Sequence, residues 1–203
     1  MKTLAMEPQK ATMNETVWEE DRIFLFIDLN NSTYLAEKLG NKLFSYLITQ
    51  CVADIYPLVH QYKAQLYQIV GDEIVLTWRR SDCTDTGKVV QLFFDFEKRL
   101  LNATGSYRTN YGLAPTFKAT CHLGKVAVSG NIFSADEPVY RGDVLNTCGG
   151  LFKLCKALDK RLAVTEAFVK EIRKPTTLSI VPLGRYLIKG KQNYEAVYTI
   201  LPD

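Results

Sequence analysis

The chain has 203 residues, the size of one ordinary domain, and its 47% of apolar residues is enough to build a buried core. Lysine and arginine number 25 against 22 acidic residues, a net charge of +3 with both signs scattered, so no nucleic-acid partner is expected and a small anionic ligand fits equally well. Five cysteines without a CxxC pair, and no apolar run near the roughly 20 residues that cross a bilayer, predict a cytoplasmic protein with reduced thiols and no membrane partner.

The first predicted element follows a polar segment. Residues 1–20 lack the apolar region of a signal peptide and are expected to be a poorly ordered lead-in, so that 21–203 form a single domain. Residues 22–29, RIFLFIDL, are a continuous apolar run that suits a strand buried on both faces, with Asp28 at its carboxyl end. Capping residue types follow, and leucines at helical spacing predict a long helix to about Leu58.

A hairpin and a second helix come next. Two strand patterns, 64–70 and 73–78, flank Gly71 and Asp72, a dipeptide whose turn chemistry predicts an antiparallel hairpin. An apolar face at helical spacing predicts a helix over about 84–101. The segment 102–112, NATGSYRTNYG, is expected to be a loop.

The second half alternates strands and helices. Two strands are predicted on either side of Gly124, followed by a helix, a short strand, a further helix and a closing strand pair. The predicted ranges are 116–123, 125–132, 144–157, 161–165, 166–172, 178–188 and 194–201.

This order, β-α-β-β-α-β with additions, indicates an α+β fold of the ferredoxin-like type. We expect an antiparallel-rich sheet with helices on one face and a C-terminal β-hairpin extension.

The pair Asp28 and Asp72 is the most informative feature, because one acid ends a buried strand and the other lies in a tight turn. On adjacent strands they would converge beside the start of a helix, where carboxylates hold a divalent metal and free amides hold phosphate. Alternatively, Asp28 caps the long helix and Asp72 is simply a favoured turn residue. The residues alone leave these two interpretations about equal.

The motifs resemble those of class III nucleotide cyclases. FLFIDLNNSTYLAEKLG is similar to the first signature, a strand ending F-x-D before a phosphate-binding helix, and QIVGDEIVLTW to the metal-binding Gly-Asp hairpin. FKATCHLGKVAVSGN with VYRGDVLNTCGGL resembles a strand pair and G-x-x-x-N entering a helix. RYLIKGKQNYEAVYTI resembles the closing L-K-G hairpin, so the resemblance covers residues 22–200.

The resemblance implies a class III cyclase fold and a set of site residues. Two divalent metal ions, Mg²⁺ or Mn²⁺, would be held by Asp28, Asp72 and the Leu29 carbonyl. Asn146 would reach the ribose from the partner subunit of a homodimer, with sites at the interface. The phosphates would be bound by the amides of Asn30, Asn31, Ser32 and Thr33, with Lys189 or Lys191 approaching the polyphosphate.

Three positions depart from the family pattern. The lysine and aspartate that read adenine in adenylate cyclases correspond to Gln68 and Val139, which cannot present the same donor and acceptor. The transition-state arginine corresponds to Gly150, and losing such a charge can cost about 10³ in rate. Lys153, Lys156 or Arg141 could replace it.

These departures resemble the stand-alone bacterial pyrimidine cyclases of the Pycsar anti-phage system, which make cyclic UMP or cyclic CMP and act through a separate effector. Gln68, Val139, Tyr140 and Arg141 would then contact the pyrimidine. For these four, ordinary surface or packing roles are equally expected. The alternatives are a purine cyclase and a catalytically silent nucleotide-binding module.

Overall fold

The computed structural model describes residues 17–131, 134–174, 176–189 and 191–202. These residues form eight strands and five helices. The strands are β1 (Trp18–Leu29), β2 (Gln65–Val70), β3 (Glu73–Arg79), β4 (Phe117–Asn131), β5 (Ser134–Arg141), β6 (Leu162–Thr165), β7 (Ser179–Tyr186) and β8 (Glu195–Leu201). The helices are α1 (Ser32–Gln61), α2 (Gly87–Asn102), α3 (Thr104–Tyr111), α4 (Asp143–Ala157) and α5 (Glu166–Val169).

The strands form one mixed sheet in the order β2-β3-β1-β4-β6-β8-β7, and β5 pairs with β4. Only the pairing of β4 with β6 is parallel among the described strands. The predicted α+β class, the antiparallel-rich sheet and the C-terminal hairpin are confirmed. Central β1 places Asp28 opposite Glu73 on β3 and opposite Lys118 on β4, so charged neighbours flank its carboxyl end.

Alternate residues of β1 belong to two separate cores. Ile23, Leu25 and Ile27 pack with residues of α1 and α2, whereas Phe24 and Phe26 pack with residues of α4. The prediction that the helices share one face is therefore wrong. Because β1 is apolar on both faces, each face has to be covered, and α4 covers the second.

Two predicted elements differ in the structure. The expected loop at 102–112 contains α3, which is anchored by the fully buried Tyr107 and its hydroxyl bond of 2.7 Å to Asp54. The two strands expected around Gly124 are one continuous strand, β4. A Cβ on Gly124 would lie 2.8 Å from Val144, so this glycine permits close packing of α4 and makes no turn.

The N-terminal boundary also shifts. β1 begins at Trp18, so 18–20 belong to the sheet, while 1–16 of the predicted lead-in lie outside the described residues. α1 is longer than predicted and is interrupted at Gly40, whose φ of 73° is not helical. All five cysteines are unpaired and buried. Within the described ranges, no helix combines the length and apolar character needed to span a bilayer.

Candidate active site

Asp28 and Asp72, the two predicted metal ligands, meet where β1 ends and the β2–β3 turn begins. Gly71 forms that turn with a φ of 62°, which favours glycine. Burial raises the pKa of Asp28; Lys156 opposes the rise and the adjacent carboxyl of Asp72 adds to it. Oδ2 of Asp72 is buried and has no hydrogen-bond partner among the described atoms. The structure thus brings the pair together and leaves one oxygen available for a cation.

Two more charged side chains belong to this site. Glu73, half-buried, has its pKa raised by burial and by the charges of Asp28 and Asp72. Lys156 places its Nζ 3.0 Å from Oδ2 of Asp28. The sequence did not single out Glu73, although its position directly after the Gly-Asp turn, in register with Asp28, was the available signal.

The segment between β1 and α1 forms part of the predicted phosphate-binding loop. Asn31 adopts the left-handed conformation, φ 57°, and no side chain caps the start of α1. The first helical amides, from Ser32 and Thr33 onward, therefore have no intrahelical acceptor and suit an anion. The Asn30 amide is different, because it donates to the Thr116 carbonyl at 2.8 Å, although Asn30 also lines a cavity at the helix start; its contact with phosphate stays a prediction.

Two cavities adjoin this helix start. One of about 500 Å³ is lined by residues 30–34 together with Lys118 and Lys156. The other, of about 390 Å³, is lined by Ser32, Thr33 and Asp72 among others. Since Ser32 and Thr33 line both, the start of α1 adjoins the cavity that contains the two lysines and the cavity that reaches Asp72. Lys118 is a cation that the sequence analysis missed; it also pairs with Asp159 at 3.2 Å.

The donor set fits a divalent metal of the magnesium type. Mg²⁺ is usually held by one or two carboxylates and completed by water and substrate phosphates, as Asp28 and Asp72 beside the phosphate cavities would allow. No cluster of three or more His, Cys, Asp or Glu side chains suited to a metal occurs in the part of the chain that the structure describes. The Leu29 side chain is buried in the core, so only its backbone carbonyl is available as the further predicted ligand.

The other predicted catalytic residues lie away from the acids. Asn146 is exposed in the first turns of α4, whereas Lys156, which contacts Asp28, is in the last turn. Ten residues of helix separate them by about 15 Å. Lys189 is exposed, and Lys191 pairs with Asp143 at the start of α4. The structure therefore places Asn146 and Lys191 near the start of α4, whereas the backbone of Lys189 lies against Gly150 in the middle of that helix.

The predicted base-reading positions adjoin a contact between β2 and β5. A bulge in β2 turns Tyr67 towards Tyr140, with ring centroids 4.9 Å apart. Gln68 is exposed and Val139 half-buried next to these tyrosines. Tyr140 is only 3% exposed and stacks under Arg22, so its proposed contact with substrate gives way to a packing role.

Arg141 and Gly150 complete the predicted set. Arg141 is exposed and donates to Ser129 Oγ at 2.7 Å. A Cβ on Gly150 would lie 2.3 Å from Cγ2 of Ile188. Ile188 therefore fills the space in which a side chain at position 150 would begin. Of the three cations considered as replacements for the family arginine, Lys156 is the one found in contact with a candidate metal ligand among the described residues.

Comparison with known proteins gives one curated relative of clear similarity. Adenylate cyclase 2 of Rhizobium meliloti (strain 1021) is 26% identical over 182 residues, which cover 90% of this chain and 50% of that protein. The chain thus spans about half the length of this relative. No protein-family model matches the chain.

Solved structures agree on the architecture. A bacterial light-regulated adenylyl cyclase has a TM-score of 0.78 at 17% identity, covering 91% of this chain and 52% of that chain. The adenylyl cyclase CyaB from P. aeruginosa also reaches 0.78, at 14% identity, covering 93% and 97%. The guanylate cyclase domain of RhGC from Catenaria anguillulae, in complex with GTP, reaches 0.73 at 14% identity, covering 91% and 98%. The chain therefore has the α+β fold of the adenylyl and guanylyl cyclases.

Proposed function

We propose that this protein is a nucleotide cyclase, which converts a nucleoside triphosphate to the 3′,5′-cyclic nucleotide and pyrophosphate. The observation that carries the proposal is the convergence of Asp28 and Asp72 beside the uncapped start of α1, with Oδ2 of Asp72 buried and unpartnered. The relatives of this fold named as adenylyl and guanylyl cyclases support the same chemistry.

One group of residues would bind the metal and another would bind the triphosphate. Asp28, Asp72 and the Leu29 carbonyl would hold Mg²⁺ or Mn²⁺, two ions by resemblance, which supply acidity to the ribose 3′-hydroxyl and neutralise pyrophosphate charge. The amides of Asn31, Ser32 and Thr33 would bind the triphosphate. A bond would form between the 3′-oxygen and the α-phosphorus, the bond from that phosphorus to the bridging oxygen would break to release pyrophosphate, and the hydroxyl proton would pass to solvent water.

The position of Asn146 supports the proposal of a homodimer. On the same chain, Asn146 lies about 15 Å along α4 from the lysine at Asp28, too far to contact a ribose whose triphosphate is held there. A second chain can supply it across a two-fold axis, which creates two equivalent sites. Ile69 and Val70, 41% and 60% exposed immediately before the Gly71–Asp72 turn, offer apolar surface for such contact.

The base is proposed to be a pyrimidine, uracil or cytosine. Gln68 and Val139 lack the lysine and aspartate pattern that reads adenine, and both are accessible in the structure. A purine base is the alternative, because the relatives are named adenylyl and guanylyl cyclases. The anti-phage role and the separate effector stay predictions from resemblance.

Incubation of the purified protein with each of the four NTPs and Mn²⁺, with products resolved by mass, tests this proposal. We expect cyclic UMP or cyclic CMP as the main product and none from the Asp72→Asn variant. Cyclic AMP or cyclic GMP as the sole product would overturn the pyrimidine assignment but keep the cyclase. No cyclic product from any NTP would instead favour a silent nucleotide-binding module.

A further inference from the structure

The ion pair between Lys156 and Asp28 joins a fixed carboxylate to an exposed lysine. Asp28 is held by strand pairing on both sides and its side chain is 16% exposed, whereas the side chain of Lys156 is 57% exposed. The acid is therefore fixed in place, and the lysine is the partner that can move. The charge of Lys156 also acts on Glu73, where it opposes the rise in pKa that burial causes.

A metal ion at Asp28 and the ammonium group of Lys156 would compete. Both are cations that seek the same carboxylate oxygen, and two cations at one oxygen repel each other. Entry of a metal must therefore weaken or displace the ion pair at 3.0 Å.

A second destination for the displaced ammonium group lies beside the first. Lys156 lines the cavity of about 500 Å³ that is bounded by residues 30–34, at the uncapped start of α1. A lysine has a flexible four-carbon stem and a compact charge, so rotation about its side-chain bonds can move the charge from Asp28 towards a bound phosphate.

We infer that Lys156 is a positioning residue that exchanges partners, an inference that rests on the proposed function. Without nucleotide it pairs with Asp28 and lowers the affinity of the site for free metal. When metal and triphosphate bind together, it leaves Asp28 and pairs with the polyphosphate. It thereby supplies from the same chain a positive charge that Gly150, packed on Ile188, cannot carry.

The Lys156→Met substitution should change the affinities for Mn²⁺ and for tripolyphosphate in opposite directions. Mn²⁺ alone, titrated by electron paramagnetic resonance, should bind about 5-fold tighter, because an exposed ion pair no longer competes. Inorganic tripolyphosphate with saturating Mn²⁺, measured by calorimetry, should bind about 5-fold more weakly, because a charge-assisted contact is lost. Tripolyphosphate is chosen because it does not depend on the base.

Two variants serve as controls. Lys153→Met removes an exposed lysine one turn earlier on α4 and should leave both affinities unchanged. Lys156→Arg keeps the charge and should resemble the parent. If the parent binds Mn²⁺ and Lys156→Met binds both ligands as the parent does, the inference is overturned while the proposed function stands. If neither the parent nor Lys156→Met binds Mn²⁺, alone or with tripolyphosphate, both are overturned.

Discussion

Gly150 packs so closely against Ile188 that no charged side chain fits at this position. The family arginine has no counterpart here, and the neighbouring Ile188 occupies the space into which any side chain would extend. Local packing thus excludes a cationic side chain at this position, so the charge has to be supplied from elsewhere on the protein.

The substitution Gly150→Ala is expected to lower the free energy of unfolding by about 1 to 3 kcal/mol, because the added methyl group overlaps Ile188. This loss should occur although alanine favours a helix over glycine by about 1 kcal/mol. Urea denaturation measures it.

Gly149→Ala is the matched control, since a Cβ there meets nothing within 4 Å and only the gain in helix propensity remains. In the double variant Gly150→Ala with Ile188→Ala, the loss should be smaller than the sum of the two single losses, because the overlap is removed. Equal stability of the two alanine variants would contradict the packing argument.

Individual site residues were predictable to different degrees. Asp28 and Asp72 could be found because a strand end and a turn are local patterns. The hydrogen bond from the Asn30 amide to the Thr116 carbonyl could not be predicted, because it joins residues far apart in the sequence. Lys118 and Lys156 reach the site only through the register of β4 and the length of α4, which no local motif encodes.

At the scale of elements, His122 joins β4 to the end of β6. Its Nδ1 lies 2.7 Å from Thr165 Oγ1, and burial, with a smaller effect from the charge of Lys191, lowers the pKa of His122 to about 4, while Asp143 acts in the opposite direction. The ordinary value is 6.5. Between these values the unfolded chain binds the proton and the folded chain does not.

Stability from His122 is therefore complete above about pH 6.5 and is lost as the pH falls towards 4, a change of about 3 kcal/mol. We expect the parent to lose more free energy of unfolding than His122→Asn between pH 7 and pH 4, by up to that amount. Urea denaturation across this range, with the two proteins compared at each pH, isolates the histidine from the carboxyl groups. Parallel pH profiles would show that His122 is not a buried neutral residue.

Most helices and strands followed from periodicity and turn chemistry, and the exceptions have tertiary causes. α3 forms in a segment of poor helix propensity because Tyr107 is buried against α1. The sequence predicts two strands on either side of Gly124 because it does not show the approach of α4 that this glycine permits. Placement of α4 on the second face likewise depends on which alternate residues of β1 it covers.

At the scale of the whole molecule, one chain holds the acids and the helix start, while Asn146 lies on a distant part of its surface. The proposed site is therefore complete only when two chains combine. The sequence indicates a shared site only through the family resemblance. The physical reason for sharing is the length of α4, which separates Asn146 from Lys156.

Coexpression of Asp72→Ala and Asn146→Ala chains carrying different tags tests whether one active site is shared between two chains. Each variant alone should be inactive, since every site lacks either its metal ligand or its asparagine. In the mixture, half of the dimers combine the two variants and have one intact site of two, so about a quarter of the parent's cyclase rate should return. A mixture no more active than its folded components, beside an active parent, would contradict a site shared between two chains.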